Sequence, residues 1–238
     1  MSQETLLQEN ARTAMSDAKA DRPVGFWALV PVVALLFVLF LNVFSKPINS
    51  VIEYLMGDVL RIPYILYDTF GIMFSEFWTI PYVTRALTCC VYVASAAFVF
   101  AKMSRGGNKI GTVCICAWAG LEVVNYIFGI YSVISLVFFQ AASGMVLNAI
   151  TGVIAYLSIF LLIAFLVMRL LKTSVYKIPL IVGLAGTVLE LVYRLLNNLF
   201  ATNVRVMYKG NLLLMAVAFL LIFLASRKLK QKPDGVSC

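Results

Sequence analysis

Histidine is missing from all 238 residues of the chain. Its absence excludes Ser-His nucleophilic catalysis, histidine metal centres and haem ligation by imidazole. No aspartate lies within a long apolar stretch, so intramembrane aspartyl proteolysis is not expected either, and there is neither a P-loop nor a Gly-rich nucleotide fingerprint. Cysteines number five, and Cys114 and Cys116, two apart, would face different sides of a helix and cannot share a metal or a disulfide. The expectation is a non-enzyme with no metal and no cofactor. Charge is also scarce: only 13% of residues are Asp, Glu, Lys or Arg, against 62% hydrophobic residues and a mean hydropathy of +0.95. A chain of that composition has too much apolar surface for one water-soluble core, and lipid is its solvent.

A spanning helix needs ~20 mostly apolar residues, because a rise of ~1.5 Å per residue must cross ~30 Å of hydrocarbon. Six stretches qualify: Phe26–Phe44, Tyr82–Ala101, Ile110–Ile130, Met145–Met168, Ile178–Phe200 and Asn211–Ala225. The last is short, and its outer end is expected to reach Lys209 or Gly210. Segments this apolar must satisfy their backbone hydrogen bonds internally, and the alternation of a membrane barrel is absent, so the fold class is an all-α integral membrane bundle of six transmembrane helices. With the N-terminus inside, the inner segments hold 13 Lys and Arg, the outer segments hold 5, and Arg194 lies within a span. The positive-inside rule then places both termini in the cytoplasm, in a multi-pass protein of the plasma (cell) membrane. The net charge of +8 sits in short loops beside apolar spans, which points to anionic lipid and topology and away from nucleic acid.

The organisation follows: a cytoplasmic N-terminal tail over 1–25, a transmembrane domain over 26–226 with a long outer first loop at 45–81, and a basic cytoplasmic C-terminal tail over 227–238. Within the outer loop, Ile48, Val51, Ile52, Leu55, Met56, Val59 and Leu60 fall on one face, with Asn49, Glu53, Asp58 and Arg61 on the other. That pattern predicts an interfacial amphipathic helix over Ile48–Arg61, ended by Pro63 and followed by an aromatic run to Trp78. The segment would serve as a membrane-surface anchor or as a lid over an outward-facing cavity.

Chemistry is concentrated in one layer. Lys109 and Lys177 open the third and fifth spans, and each is followed thirteen positions later by a glutamate, Glu122 and Glu190. Six identities over sixteen aligned positions make this a weak internal repeat. Thirteen residues set both carboxyls ~20 Å from the inner surface, about two-thirds of the way across. An intramembrane ionisable group costs at least ~2.5 kcal/mol on insertion scales, so each calls for a partner or a cavity. Arg194 follows Glu190 by four, on the same face, and Asn197 continues that face outward. Trp118, Glu122, Asn125 and Gly129 form a matching stripe, and Asn148 reaches a similar depth from the fourth span. Two glutamates face a single arginine in this layer, so the second carboxyl must be protonated, paired with Arg85, or balanced by a bound cation. Trp118 and Tyr126 add aromatic faces suited to an organic cation. The candidate substrate, cation or proton site is therefore Glu122, Glu190, Arg194, Asn125, Asn148, Asn197 and Trp118.

Three likenesses bear on the reading. Glu190-x-x-x-Arg194 resembles a fragment of the motif of intramembrane CAAX-processing proteases, without that family's doubled glutamate and histidines. Ala142-Ser143-Gly144 is similar to the serine motif of rhomboid proteases, and with no histidine the resemblance implies only an inactive rhomboid-like scaffold. Six spans with inner termini look like the substrate-binding S components of energy-coupling-factor transporters, a likeness of architecture alone. The leading expectation is a transport-type protein that takes a small solute or cation through an outward-facing polar pocket. The alternative is a non-catalytic membrane scaffold or assembly factor whose polar network is purely structural. Its partners would be the lipid bilayer, a small solute or cation, and a membrane protein partner or a second copy of itself.

Overall fold

The computed structural model describes residues 23–54, 80–104, 109–139, 143–200 and 205–231. After a 3-10 turn at Gly25–Ala28 come six helices: α1 (Leu29–Tyr54), α2 (Ile80–Ser104), α3 (Lys109–Phe139), α4 (Ser143–Leu170), α5 (Lys177–Phe200) and α6 (Arg205–Gln231). Each contains a stretch long and apolar enough to cross a membrane, from Gly25–Phe44 in the first to Met207–Lys230 in the sixth. The described residues hold helices and no strand, and six helices fit to span a bilayer are the pattern of a multi-pass membrane protein.

Several helix boundaries differ from the sequence reading, among them the end of α3, which runs to Phe139 and not to Ile130. The first span and the start of the expected amphipathic helix form one continuous α1, running through Pro47 to Tyr54. A proline inside a helix removes one backbone hydrogen bond and crowds the preceding turn, yet it does not end this helix. Residues 55–61 of the expected interfacial helix, and the aromatic run to Trp78, lie outside the described residues. The sixth helix starts at Arg205 and continues to Gln231, so Arg227–Gln231, read as the start of a tail, belongs to α6.

Each helix packs on its neighbours in sequence, and α6 returns to α1, which closes a ring. Hydrogen bonds at one end fix the alternation of direction. The Gly25 amide donates to Ser226 Oγ at 2.8 Å, tying the start of the first span to the end of the last. Gly25 holds φ at +72°, a conformation that a side chain resists. The buried Arg169 guanidinium donates to the Met103 carbonyl, joining the ends of α4 and α2. A tight turn over 171–176 then reverses the chain into α5. Lys102, Lys109, Lys172, Lys177, Lys228 and Lys230 gather at this end, called here the basic end.

Outside, the ring presents Val33, Val113, Val153, Phe160 and Ile178 among many exposed apolar side chains, the surface of a protein solvated by lipid. Inside, the tilted rings of Phe100 and Phe165 pack with centroids 5.2 Å apart and those of Phe100 and Phe219 5.2 Å apart, all three buried. Tyr92 contributes edge-on contacts to Trp118 and Phe219. These rings pack the half of the bundle nearer the basic end, and the interior opens only beyond them.

Candidate functional site

The cavity begins where the aromatic packing stops. It has a volume of about 170 Å³ and is lined by side chains from all six helices. Its position follows from register. Glu122 is thirteen residues from the start of α3 and Glu190 thirteen from the start of α5, so each lies ~20 Å from the basic end. The two helices stand on either side of α4 in the ring, and their glutamates line one space.

Glu122 is the deeper of the two, at 6% exposure. Its Oε1 accepts a hydrogen bond from the Ser158 hydroxyl of α4, which lies also within 2.9 Å of the Ala155 carbonyl. A serine has one O–H, so it can donate to only one of these acceptors at a time. With Glu122 ionised the proton points to the carboxylate; with Glu122 protonated, Ser158 can turn to Ala155 and accept from the acid. The arrangement accommodates either state of the carboxyl.

Glu190 is less buried: its side chain is 21% exposed and that of Arg194 is 25% exposed. Its Oε1 accepts from Arg194 Nε at 3.1 Å and from Nη2 at 2.5 Å, one helical turn on. Its Oε2 accepts from Asn211 Nδ2 at 3.0 Å, which links α5 to α6. This approach is close because Gly186 lets the helices meet: a Cβ there would lie 3.2 Å from Leu214 Cβ and 3.3 Å from Met215 Cγ. Thr187 returns its hydroxyl to Gly183 O at 2.8 Å, so its polar group is satisfied within α5.

Of the expected site residues, Glu122, Glu190, Arg194, Asn125 and Trp118 come together around the cavity. Asn197 does not join them; it is exposed and takes no part in the cavity wall. Asn148 falls within α4, but its side chain is outside the described residues. Arg85, considered as a partner for the second carboxyl, donates to Asn42 Oδ1 at 3.2 Å between α2 and α1. The sequence reading overlooked Ser158 and Asn211 as site residues. Both are polar side chains inside apolar spans, which is the signal that marked the others. Cys89, Tyr92, Tyr126 and Tyr208 are also part of the cavity wall.

The wall is graded. Farther from the basic end stand Arg194, Tyr208, Asn211 and Glu190; nearer to it stand Leu35, Ile159, Leu162 and Met215. Among the described residues no three His, Cys, Asp or Glu side chains gather to hold a metal ion. What the site offers is two carboxylates, one guanidinium, amides, phenols and an apolar floor, suited to binding a small polar or cationic molecule. No family model matches the chain, no curated protein matches its sequence, and no solved structure matches its fold.

Proposed function

We propose that this protein binds a small solute or cation in its central cavity and moves it across the plasma membrane, as a non-enzymatic, transport-type protein. One observation carries the reading: Glu122 and Glu190 line a single cavity within the membrane-spanning region, together with one arginine. If both are ionised, the cavity holds one negative charge more than Arg194 balances. A deficit of that kind, in a space poorly solvated by water, favours entry of a cation or a proton. The two carboxyls stand at one height, Glu122 buried and Glu190 partly exposed, so a solute that enters the cavity meets both in one layer. The basic end is taken as cytoplasmic, with both termini there, on the positive-inside rule. The cavity then faces outward.

A second reading has its own support. Glu122 is held by Ser158, and Glu190 by Arg194 and Asn211, so the polar layer also ties α3 to α4 and α5 to α6. In a membrane scaffold or assembly factor those bonds would be the whole purpose of the layer.

Charge movement separates the two. Proteoliposomes adsorbed on a solid-supported membrane are exposed to jumps of Na+, protons, tetramethylammonium and propylammonium. A transporter of small cations gives a transient current with at least one of them, and Glu122→Gln abolishes it. A current with none of the four, from protein shown to be folded, sinks the reading of the cavity as a cation path and favours the scaffold.

A further inference from the structure

The two carboxyls of the cavity are held by different kinds of partner. Glu190 accepts two N–H bonds from Arg194 on Oε1 and one from Asn211 on Oε2, so both of its oxygens are already taken by donors. A proton placed on either oxygen would compete with one of those donors and leave the charge of the guanidinium unmatched. Glu122 makes no salt bridge among the described residues, and its hydrogen bond comes from the uncharged hydroxyl of Ser158.

Ser158 can serve Glu122 in both of its protonation states. Its Oγ is within hydrogen-bond reach of Glu122 Oε1 and 2.9 Å from the Ala155 carbonyl. With the carboxyl ionised, the serine O–H points to Glu122. With the carboxyl protonated, the acid O–H donates to Ser158 Oγ and the serine proton turns to Ala155. Neither state leaves a donor in this buried contact without an acceptor, which is what a group that gains and loses a proton inside a membrane requires. The cavity, at about 170 Å³, has room for several waters to carry that proton.

A metal cation is a poorer match at this carboxyl. It takes about six or more oxygens, and one turn towards the basic end from Glu122 and Ser158 stand Trp118 and Leu162. The other titratable or charged groups of the wall are Cys89 and Tyr92 from α2, Tyr126 from α3, Glu190 and Arg194 from α5, and Tyr208 from α6; among the described residues α1 and α4 bring none. Thiols and phenols ordinarily release their protons at about pH 8.5 or above, and arginine stays charged. The two carboxyls are therefore the groups that can exchange a proton below that pH, and Glu190 is engaged by its donors.

Resting on the reading of this cavity as a cation site, we propose that the cation is the proton and that Glu122 is its carrier. Uptake forms one O–H bond on the Glu122 carboxylate, with the proton drawn from water in the cavity. Release returns the proton to water and turns the Ser158 O–H back to Glu122. With Glu190 and Arg194 as a balanced pair, the cavity is neutral when the proton is bound and carries one negative charge when it has left, so each cycle moves one charge through the site.

The test reads the carboxyl directly. The full chain in lipid is stepped between neutral and mildly acidic pH, and infrared difference spectra follow the C=O stretch of protonated carboxyls. The expected result is a reversible component of that band which Glu122→Gln removes, which the double variant Glu190→Leu, Arg194→Leu keeps, and which Ser158→Ala shifts in frequency because the acid loses its acceptor. If Glu122→Gln does not fold, the shift in Ser158→Ala makes the assignment. A band that neither Glu122→Gln nor Ser158→Ala changes, or a Glu122 carboxyl that does not respond to the pH step, overturns the proposal. Currents in proteoliposomes separate it from the transport reading. Current on jumps of Na+ or tetramethylammonium at constant pH, with none on a proton jump, overturns the proton assignment and leaves a cation transporter. A Glu122 component that responds to pH, without current for any cation, supports the proton site and sinks the transport reading.

Discussion

Ser158 on α4 donates its hydroxyl to Glu122 on α3, and both side chains are buried. The bond crosses the interface between consecutive spans at the floor of the polar layer, so it serves both stability and the orientation of the deeper carboxyl. In Ser158→Ala the carboxyl loses this donor. Interhelical hydrogen bonds within membranes average about 0.6 kcal/mol and reach about 1.7, so a loss in that range is expected in unfolding from mixed micelles. A double-mutant cycle with Glu122→Gln should return a coupling energy of at least a few tenths of a kcal/mol; strict additivity would show that the two groups do not interact.

The Glu190–Arg194 pair makes a second, separable prediction. Glu190→Leu leaves the guanidinium in a poorly solvated place with its two hydrogen bonds gone, and about 1–3 kcal/mol of stability should go with them. Adding Arg194→Leu removes the uncompensated charge and should restore most of that loss. If the double variant is as unstable as the single one, the damage lies in packing and not in charge.

Gly186 and Gly152 form a matched pair for testing the α5–α6 contact. A Cβ at Gly186 meets Leu214 and Met215 within 3.3 Å, whereas one at Gly152 meets nothing within 4 Å. Gly186→Leu is expected to lower the thermal unfolding temperature through overpacking worth about 1–3 kcal/mol. Gly152→Leu should leave it level or slightly higher, since leucine favours a helix by up to about 1 kcal/mol over glycine. Equal effects at the two positions would contradict the packing described.

The order of the spans predicts which positions share a side. With the native cysteines removed, Lys172→Cys and Lys230→Cys should react with a membrane-impermeant maleimide only after the cytoplasmic face is opened. Lys209→Cys, at the opposite end of α6 from Lys230, should react from outside intact cells. The reverse labelling would invert the bundle and turn the cavity inward.

Much of this was legible in the residues alone, for a physical reason. Lipid forces each span to be apolar and helical, so composition fixes the six helices, and a polar side chain inside one stands out against that background. Glu122, Glu190 and Arg194 were visible for this reason, and their common height followed from counting thirteen residues from Lys109 and Lys177. How far the cavity extends along a helix was harder to read. Asn197 follows Arg194 by about one turn, and only the packing of α5 shows that it is exposed and not part of the cavity wall. Asn211 looked like the edge of a span because the sixth apolar run was counted from it, while the helix begins six residues earlier, at Arg205. Helix continuity through Pro47 was not legible either, since a proline after an apolar run reads locally as a stop.

The most direct test is the single substitution Glu122→Gln, which keeps the shape and hydrogen-bonding capacity of the side chain but cannot ionise. Circular dichroism and thermal unfolding first show that the variant is folded; its transient currents in proteoliposomes exposed to jumps of Na+, protons, tetramethylammonium and propylammonium are then compared with those of the parent chain. A folded variant that gives no current where the parent does is expected, because the amide cannot carry the charge that draws a cation into the cavity. A folded variant with the parent's current would contradict a cation path through Glu122, and would leave the intramembrane carboxyl as a fastening between α3 and α4.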